Sequence, residues 1–331
     1  MTNEVVLGVI DLGVSITGPL GPAEAVRGID IELYRGETLG IVGESGCGKS
    51  LTALALSGLL PDGVRISRGQ ISILGEVATE YDEALWRGIR GRSVALIFQD
   101  PMAMLNPVLT IGAQICEAIQ AHKTVRWSDA KREAGILLQR VKLPDPQRML
   151  DCYPHQLSGG MAQRVAIAIA IANRPDILIA DEPTTALDAT VQVEILALLK
   201  DIQRETGMAI LIVSHDLGLI ARWADRVLVM YAGKAAEVRS ARDILTKASH
   251  PYTRALIASR PRRRLNHERR QRLEEIPGRV PLPSERLSGC GFAERCSAAD
   301  EQCKSRAPND YQIEDGTVWC YHAIGCEAIT Q

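Results

Sequence analysis

The sequence lacks a long hydrophobic run, a strong charge imbalance and a recognisable export signal. Its richest apolar run, residues 165–172, is only eight residues long, whereas a membrane-spanning helix needs roughly 20. The formal net charge of −2 over 331 residues gives no reason to expect nucleic acid as the main partner. The first residues do not combine a basic start with an apolar core, so we expect no secretory signal and a cytosolic protein that can dock on a membrane protein.

A glycine-rich loop fits the template G-x-x-x-x-G-K-[ST], in which backbone amides surround phosphate oxygens. A strand is predicted before the loop, at residues 37–42, and a helix after it, at residues 51–60, as this template requires; an ordinary turn is the alternative. Lys49 is expected to reach the β- and γ-phosphates, and Ser50 to ligate Mg²⁺. The predicted nucleotide-binding residues of this stretch are Gly43, Glu44, Ser45, Gly46, Cys47, Gly48, Lys49, Ser50, Leu51 and Thr52.

Polar side chains follow two further apolar strands, predicted at residues 177–180 and 209–213. Asp181 ends the first strand, where a carboxylate can ligate magnesium directly or lie in its second shell. Glu182 can align a water on the γ-phosphate as general base; an acid at a helix N-terminus is the alternative. His215 follows the second strand, at the position where α/β sheets bind ligands, and a structural histidine is the alternative.

Short apolar strands alternate with helical segments up to about residue 235, which predicts an α/β fold with a largely parallel sheet. Further strands are predicted at residues 5–10, 29–33, 94–98 and 226–230, and helices at residues 111–121, 128–141, 164–172 and 190–205.

Residues 157–161, Leu-Ser-Gly-Gly-Met, narrow the choice of family. They precede the acidic strand and follow the glycine loop, and with these motifs in this order the chain resembles the ATP-binding subunit of an ABC transporter over roughly residues 5–235. The resemblance implies a P-loop NTPase (RecA-like) nucleotide-binding domain at residues 1–240, with an inserted helical subdomain at about residues 100–164. It also implies that ATP and Mg²⁺ bind at the glycine loop and that a facing cassette closes over them.

The same resemblance implies roles for single residues. Gln99 is similar to the glutamine that contacts nucleotide and magnesium and couples to the membrane subunit, so the implied magnesium residues are Ser50, Gln99 and Asp181. His215 is similar to the switch histidine that contacts the γ-phosphate, so Glu182 and His215 are the implied catalytic pair. Asp188 resembles the D-loop aspartate. The residues implied to complete the partner's site are Ser158, Gly159, Gly160 and Met161.

Two positions depart from the family pattern. Residues 14–18 contain no aromatic side chain that could stack on adenine, and Ile16 is the nearest candidate for that contact. Met161 stands where the signature usually has glutamine, and this variant resembles one subgroup of the family.

That subgroup is the peptide/nickel importer family, which carries oligopeptides, dipeptides or nickel. Residues 100–107 resemble its stretch after the glutamine, and residues 250–256 and 276–278 resemble its C-terminal extension. The resemblance implies two permease subunits and an extracytoplasmic solute-binding protein as partners, no nucleic acid, and a peripheral position at the cytoplasmic face of the inner membrane. Met102 and Met161 resemble one of two non-identical ATPases, so the expected second cassette is a different subunit. The cargo stays open.

The composition changes after Tyr231. Seven arginines fall between residues 260 and 272, and prolines follow at 277, 281 and 283, which predicts a linker or solvated helix face. A basic contact to lipid headgroups or to a partner subunit is the alternative. This segment leads into the predicted extension, residues 241–331, with a four-cysteine module at about residues 276–326.

Cysteines concentrated in a short part of a cytosolic chain favour a metal site over disulfides. The family resemblance associates Cys290, Cys296, Cys303 and Cys320 with a 4Fe–4S cluster. The spacing matches neither zinc ribbons nor ferredoxins. Zinc is the second choice of metal, and metal-free or disulfide-prone thiols are the alternative to any metal. Cys326 falls outside the pattern, and His322 is a weak substitute ligand.

Two other functional classes compete with the importer. A soluble ABC ATPase acting on nucleic acid or ribosomes usually carries a long coiled coil or two tandem cassettes, and neither is present in this sequence. A degenerate regulatory cassette is disfavoured because Lys49, Asp181, Glu182 and His215 are all present.

Overall fold

The chain forms two β-sheets in the computed structural model, which describes residues 4–18, 21–185, 187–260 and 275–324. The strands are β1 (Val5–Gly18), β2 (Gly21–Tyr34), β3 (Thr38–Val42), β4 (Val64–Ile73), β5 (Glu76–Val77), β6 (Val94–Ile97), β7 (Ile177–Asp181), β8 (Ala209–Ser214), β9 (Arg226–Tyr231), β10 (Lys234–Ser240), β11 (Tyr311–Ile313) and β12 (Gly316–Val318).

Helices cover these sheets and form a separate helical region after β6. They are α1 (Lys49–Leu56), α2 (Glu83–Ile89), α3 (Pro101–Met104), α4 (Ile111–Gln120), α5 (Trp127–Arg140), α6 (Pro146–Leu150), α7 (Gly159–Ala170), α8 (Ala189–Thr206), α9 (Leu217–Ile220), α10 (Ala241–Ile244), α11 (Pro251–Ala258) and α12 (Glu301–Ser305), with 3₁₀ turns at Pro154–Gln156 and Ala293–Arg295.

The larger sheet has the strand order β11-β12-β10-β9-β3-β8-β7-β6, and its five strands from β9 to β6 are parallel. Every residue of β3, β7 and β8 is buried, as expected for central strands of a sheet that is covered on both faces. The register pairs Val42 with Ser214 and Asp181 with Val213. The ends of β3, β7 and β8 therefore meet at one edge, and the predicted α/β core is confirmed.

The smaller sheet is antiparallel, in the order β2-β1-β4-β5. Its strands β1 and β2 are each 14 residues long, so the predicted strands at residues 5–10 and 29–33 were too short. Bulges interrupt the β1–β2 register, and these irregularities break the strict alternation of polar and apolar residues on which strand prediction depends.

The helical region between β6 and β7 was predicted more closely. Helices α4 and α5 lie within two residues of the predicted segments, because their apolar residues recur at helical spacing. Helix α1 begins two residues earlier and ends four residues earlier than predicted. It stops at Ser57 because the next residue, Gly58, has a φ of +65° and packs against the Trp86 ring.

The C-terminal residues extend the larger sheet. Strand β12 pairs with β10, with Glu237 opposite Val318, and β11 pairs with β12. The division of the chain at residues 240/241 and the helical subdomain at about residues 100–164 stay predictions. Across the described residues, we find no helix that combines the length and apolar character needed to cross a bilayer.

A buried ion pair fixes the start of the C-terminal extension. Glu237 is fully buried, and Arg239 is 4% exposed with its Nε 3.1 Å from Glu237 Oε1. The two oxygens of Glu237 also accept hydrogen bonds from the backbone N–H groups of Ser249 (2.9 Å) and His250 (3.0 Å). The chain leading into α11 is therefore held against β10 by one satisfied carboxylate.

We expect Arg239→Ala to lower the free energy of unfolding by about 3–5 kcal/mol, because it leaves a carboxylate buried without its cation. The measurement is urea denaturation. Arg242→Ala, at an exposed neighbouring arginine, is the matched control and should stay within about 0.5 kcal/mol of wild type. Equal effects of the two substitutions would show that the pair does not stabilise the fold.

Candidate functional site

The glycine loop runs from the end of β3 to the first residue of α1. Gly46 (φ +79°) and Gly48 (φ +102°) adopt the left-handed conformation, and a Cβ at Gly48 would come within 2.7 Å of the Ala25 carbonyl oxygen. Lys49 is 5% exposed, and its Nζ donates to the carbonyl oxygens of Gly43 (2.9 Å) and Glu44 (3.0 Å). The ammonium group is thus held inside the loop where phosphate oxygens are expected.

Three polar side chains contact the Glu182 carboxylate at the sheet edge. Its Oε2 accepts hydrogen bonds from Gln99 Nε2 (3.3 Å) and Thr185 Oγ1 (2.7 Å), and His215 Nδ1 lies 3.2 Å from the same oxygen. The backbone of Glu182 has a φ of +46°, a strained conformation for a residue with a side chain, and its N–H donates to Val213 O at 2.9 Å. The structure thus brings three predicted residues together, and Thr185 is a partner that the sequence did not reveal.

Asp181 lies beside Ser50 behind this group. Ser50 Oγ donates to Asp181 Oδ1 at 3.2 Å, so two of the three predicted magnesium residues are adjacent. Asp181 is 7% exposed, and burial raises the pKa of its carboxyl above the ordinary value, although the Ser50 hydrogen bond acts in the opposite direction. A hydroxyl and a carboxylate side by side suit a hard divalent cation.

A cavity of about 550 Å³ connects the glycine loop with Gln99, Glu182 and His215, whereas Asp181 lies behind Ser50 outside the lining. The predicted residues that line it are Ser45, Gly46, Gly48, Lys49, Ser50, Leu51, Gln99, Glu182 and His215. The lining residues that were not predicted to bind nucleotide are Ala25, Val280, Pro281, Leu282 and Pro283, together with Ile16, which had been named only as a candidate for adenine stacking.

Four predicted loop residues lie outside the cavity lining. A Cβ at Gly43 would overlap the Met230 carbonyl oxygen, so this position shapes the loop. Cys47 and Thr52 are fully buried, and the Thr52 hydroxyl donates to Gly48 O at 3.0 Å. Glu44 contacts the C-terminal extension instead. Their part in nucleotide binding stays a prediction.

The signature residues occupy the start of α7, apart from the cavity lining. Ser158 caps the helix by accepting a hydrogen bond from Met161 N at 3.4 Å, and Ser158 and Gly159 are exposed. A Cβ at Gly160 would come 2.9 Å from Val191 Cγ1. Asp188 caps α8 in the same way, accepting from the N–H groups of Thr190 and Val191. Exposed signature residues are available to a facing molecule.

The C-terminal extension contacts the glycine loop directly at Glu44. Arg295 forms a two-pronged ion pair with the Glu44 carboxylate, at 2.6 Å and 3.1 Å, and only 5% of its side chain is exposed. The fully buried Tyr252 accepts a hydrogen bond from Glu44 N at 2.9 Å. Burial raises the pKa of Tyr252, so the phenol stays neutral. Tyr252 falls in a stretch that carries the family resemblance, and Arg295 directly precedes the predicted cluster ligand Cys296, but nothing local to either residue indicated Glu44 as its partner.

The four cysteines of the predicted metal module line one small cavity, together with Phe292, Ala293, Ala299 and Pro308. All seven cysteines in the described ranges are free thiols. Burial raises the pKa of Cys290, Cys303 and Cys320, the last to about 12. Asp300, Cys303 and His322 place their ligand atoms within 4.8 Å of one another. Cys326 and the arginines at 262, 263, 264, 269, 270 and 272 lie outside the described residues.

Comparison with known proteins identifies two matching family models. The model described as ABC transporter matches residues 26–185, and the model described as oligopeptide/dipeptide transporter, C-terminal region, matches residues 236–303.

Relatives match over nearly the whole chain. The dipeptide transport ATP-binding protein DppD of Bacillus subtilis (strain 168) is 48% identical over 98% of this chain and 94% of its own length. A probable peptide ABC transporter ATP-binding protein of Sinorhizobium fredii is 45% identical over 98% and 95%. The DppD protein of Escherichia coli (strain K12) is 43% identical over 94% of both chains.

Solved structures match the cassette part of the chain. The ATP-binding cassette MJ0796, solved as a dimer in a post-hydrolysis state bound to ADP and Pi, is 27% identical with a TM-score of 0.64, and the match covers 71% of this chain and 99% of that one. The protein cbiO1 from Clostridium perfringens, part of the ABC transporter complex cbiONQ, is 27% identical with a TM-score of 0.63, covering 74% and 92%. The predicted P-loop nucleotide-binding fold is confirmed.

We expect Asp181→Asn to stabilise the Mg²⁺-free protein while weakening its Mg²⁺ dependence. The folded-state pKa of Asp181 lies above its ordinary value, so burying the charged form costs free energy at pH 7 and costs nothing below the ordinary pKa. In EDTA, Tm should therefore rise at pH 7 and the difference from wild type should vanish at acidic pH. The Mg²⁺ concentration that half-saturates ATP hydrolysis should rise at least about tenfold.

Asp62→Asn, at an exposed aspartate, is the matched control and should change neither quantity. A lower Tm of Asp181→Asn at pH 7, or an unchanged Mg²⁺ requirement, would contradict the assignment of Asp181 as a buried magnesium ligand.

Proposed function

Since the chain belongs to the family of ATP-binding subunits of ABC peptide transporters, we propose that it hydrolyses ATP to power the uptake of short peptides through separate membrane permeases. The proposal depends on one observation: Lys49, Ser50, Gln99, Glu182 and His215 all line the same cavity. The names of the relatives, which specify dipeptides or peptides, favour peptides over nickel as the cargo.

The glycine loop is the proposed phosphate cradle. Backbone amides of the loop and the N-terminal end of α1 favour negative charge there, and the buried Lys49 ammonium adds a full positive charge. Ser50 and Asp181 would hold Mg²⁺, with Gln99 nearby; the cation would neutralise charge on the phosphate oxygens.

Glu182 is the proposed group that orients the attacking water. Its hydrogen bonds from Gln99 and Thr185 fix the carboxylate at the cavity wall, where it can accept the proton that the water loses during attack on the γ-phosphate. His215, 61% exposed at its side chain, lines the same cavity and is placed to contact the γ-phosphate. The strained backbone of Glu182 supports a functional role, because such conformations concentrate at active sites.

A second cassette would complete the site. Ser158 and Gly159 are exposed at the start of α7, so they can reach the nucleotide of a facing subunit, while that subunit's signature covers this one. The structural relative MJ0796 is a dimer, which supports pairing. Met161 and Met102 support a non-identical partner, because these variants resemble one of two ATPases in such importers.

The surface after Gln99 is the proposed permease contact. Phe98 and Met102 are each 39% exposed and Val108 is 75% exposed, so apolar side chains face outward close to a residue that touches Glu182. A subunit bound there would sense the state of the nucleotide site through Gln99. We therefore propose a position at the cytoplasmic face of the inner membrane, with two permeases and an extracytoplasmic solute-binding protein as further partners.

We further propose that the four cysteines hold a 4Fe–4S cluster with a structural role. The cavity that they share is small, and four thiols that face one cavity can supply the four thiolate ligands of such a cluster. Its other walls are Phe292, Ala293, Ala299, Pro251 and Pro308, together with His250, Tyr321 and His322. The cluster would crosslink the module. The grouping of Asp300, Cys303 and His322 makes zinc the second candidate.

Metal analysis of the anaerobically purified protein tests the cysteine module. We expect about four iron and four sulfide per chain, and loss of both iron and sulfide in Cys320→Ser but not in Cys152→Ser. One zinc per chain that requires His322 would favour the second candidate, and protein free of metal would contradict both.

We expect Glu182→Gln to reduce ATP hydrolysis by this chain at least about 100-fold while ATP binding persists, because the carboxylate is the proton acceptor. The chain is assayed together with its partner ATPase, whose own general-base carboxylate is also replaced by an amide, so that turnover at the partner's site does not contribute. ATP should stabilise the pair formed by Glu182→Gln and this partner in gel filtration.

Glu80→Gln, at an exposed glutamate, is the matched control and should hydrolyse ATP at the wild-type rate. Wild-type turnover by Glu182→Gln would move the catalytic role to another residue. Purification of the assembled complex with nucleic acid instead of permeases would favour a soluble ATPase that acts on nucleic acid or ribosomes.

A further inference from the structure

A segment of the C-terminal extension forms one wall of the nucleotide cavity. Val280, Pro281, Leu282 and Pro283, hereafter the base-side segment, line the same cavity as Lys49 of the glycine loop. Ile16, at the end of β1, and Ala25, on β2, complete this wall. The cavity therefore has a cationic end made by the cassette and an aliphatic wall to which the extension contributes.

Arg27 holds the base-side segment in place. Its Nη2 donates to the backbone carbonyl oxygens of Leu282 (3.3 Å), Pro283 (3.1 Å) and Glu285 (3.0 Å). Its Nε donates to Glu24 O at 3.0 Å, so the guanidinium group joins β2 of the cassette to the extension. One half-buried cation thus satisfies several carbonyl oxygens of a segment without regular secondary structure.

The other end of the segment is also anchored. Arg295 Nε donates to Pro277 O at 2.7 Å, and Arg279 pairs with Glu285 at 2.7 Å across the turn. Proline at 281 and 283 fixes two φ angles and restricts the residues before them to extended conformations. A segment held in this way loses little further entropy when a ligand contacts it.

The aliphatic wall of the cavity suits a flat, largely apolar group, such as a nucleobase, that is attached to a phosphate chain. The side chains that compose it are aliphatic, and Leu282 is 54% exposed in spite of its size. A purine base seated between Ile16 and Leu282 would remove apolar surface from water, while its triphosphate reached Lys49. The aromatic residue that is absent from residues 14–18 would not be needed.

We infer that the base-side segment and Ile16 form the nucleobase subsite, so that the extension, and not the cassette alone, selects a purine nucleotide over a bare polyphosphate. This inference rests on the proposed function, because it takes the phosphate position from Lys49. Recognition is by apolar contact and shape.

The test compares ATP with inorganic tripolyphosphate, which carries the phosphates without a base. Both ligands are titrated calorimetrically into the full chain in EDTA, because ATP is not hydrolysed when Mg²⁺ is removed. We expect Leu282→Asp to weaken ATP binding about tenfold and to leave tripolyphosphate binding unchanged, because a charge replaces the apolar contact with the base. Leu282→Phe should keep ATP affinity within about twofold of wild type, which shows that the contact and not the leucine itself is required.

Leu85→Asp is the matched control, because Leu85 is 53% exposed but lies on α2 outside the cavity lining, and it should change neither affinity. The inference is overturned if Leu282→Asp leaves ATP affinity unchanged, or if it weakens ATP and tripolyphosphate equally. The binding of both ligands to Lys49→Ala shows whether only the base subsite is wrong or the proposed phosphate site is wrong as well. If Lys49→Ala loses both ligands while Leu282→Asp changes nothing, only the base subsite is wrong; if Lys49→Ala binds both normally, the phosphate site and the inference fail together.

Discussion

The ion pair between Arg295 and Glu44 is the contact on which the arrangement of the site depends. It joins Glu44 of the glycine loop to Arg295, which lies 251 positions further along the chain and next to Cys296. Because Arg295 also donates to the carbonyl oxygens of Ile276 and Pro277, the same guanidinium group orients the base-side segment. The phosphate loop, the residues that lead into the aliphatic wall and the cysteine module thus share one buried cation.

The chemistry at the sheet edge follows from parallel pairing. The strands β3, β7 and β8 run side by side in register, so the residues after each strand end at the same edge without further adjustment. This is why Lys49, Asp181, Glu182 and His215 could be predicted from the sequence as a group: each lies at or shortly after the end of a buried strand, and their order in the chain matched a known family. The α/β fold and the longer helices were predictable for the same reason, since the apolar spacing is local.

The parts that the sequence did not reveal depend on contacts between distant segments. Tyr252 and Arg295 both contact Glu44, and Arg27 binds carbonyl oxygens more than 250 residues away. Contacts between residues so far apart in the chain produce no local pattern in the sequence. Strands β11 and β12 are three residues each and join the larger sheet only because β10 offers an edge. The signature residues are the opposite case, because their motif was evident in the sequence but their function is not visible in one chain. They lie apart from this chain's own cavity, and the cavity that they are proposed to close belongs to the partner.

The most direct test of the account is a cryo-EM map of the assembled transporter with Mg²⁺ and a non-hydrolysable ATP analogue. We expect phosphates on Lys49 and the loop amides, the base between Ile16 and Leu282, and Ser158 of this chain against the nucleotide of the facing cassette. A triphosphate bound away from Lys49, or Ser158 remote from every nucleotide in the closed complex, would contradict it.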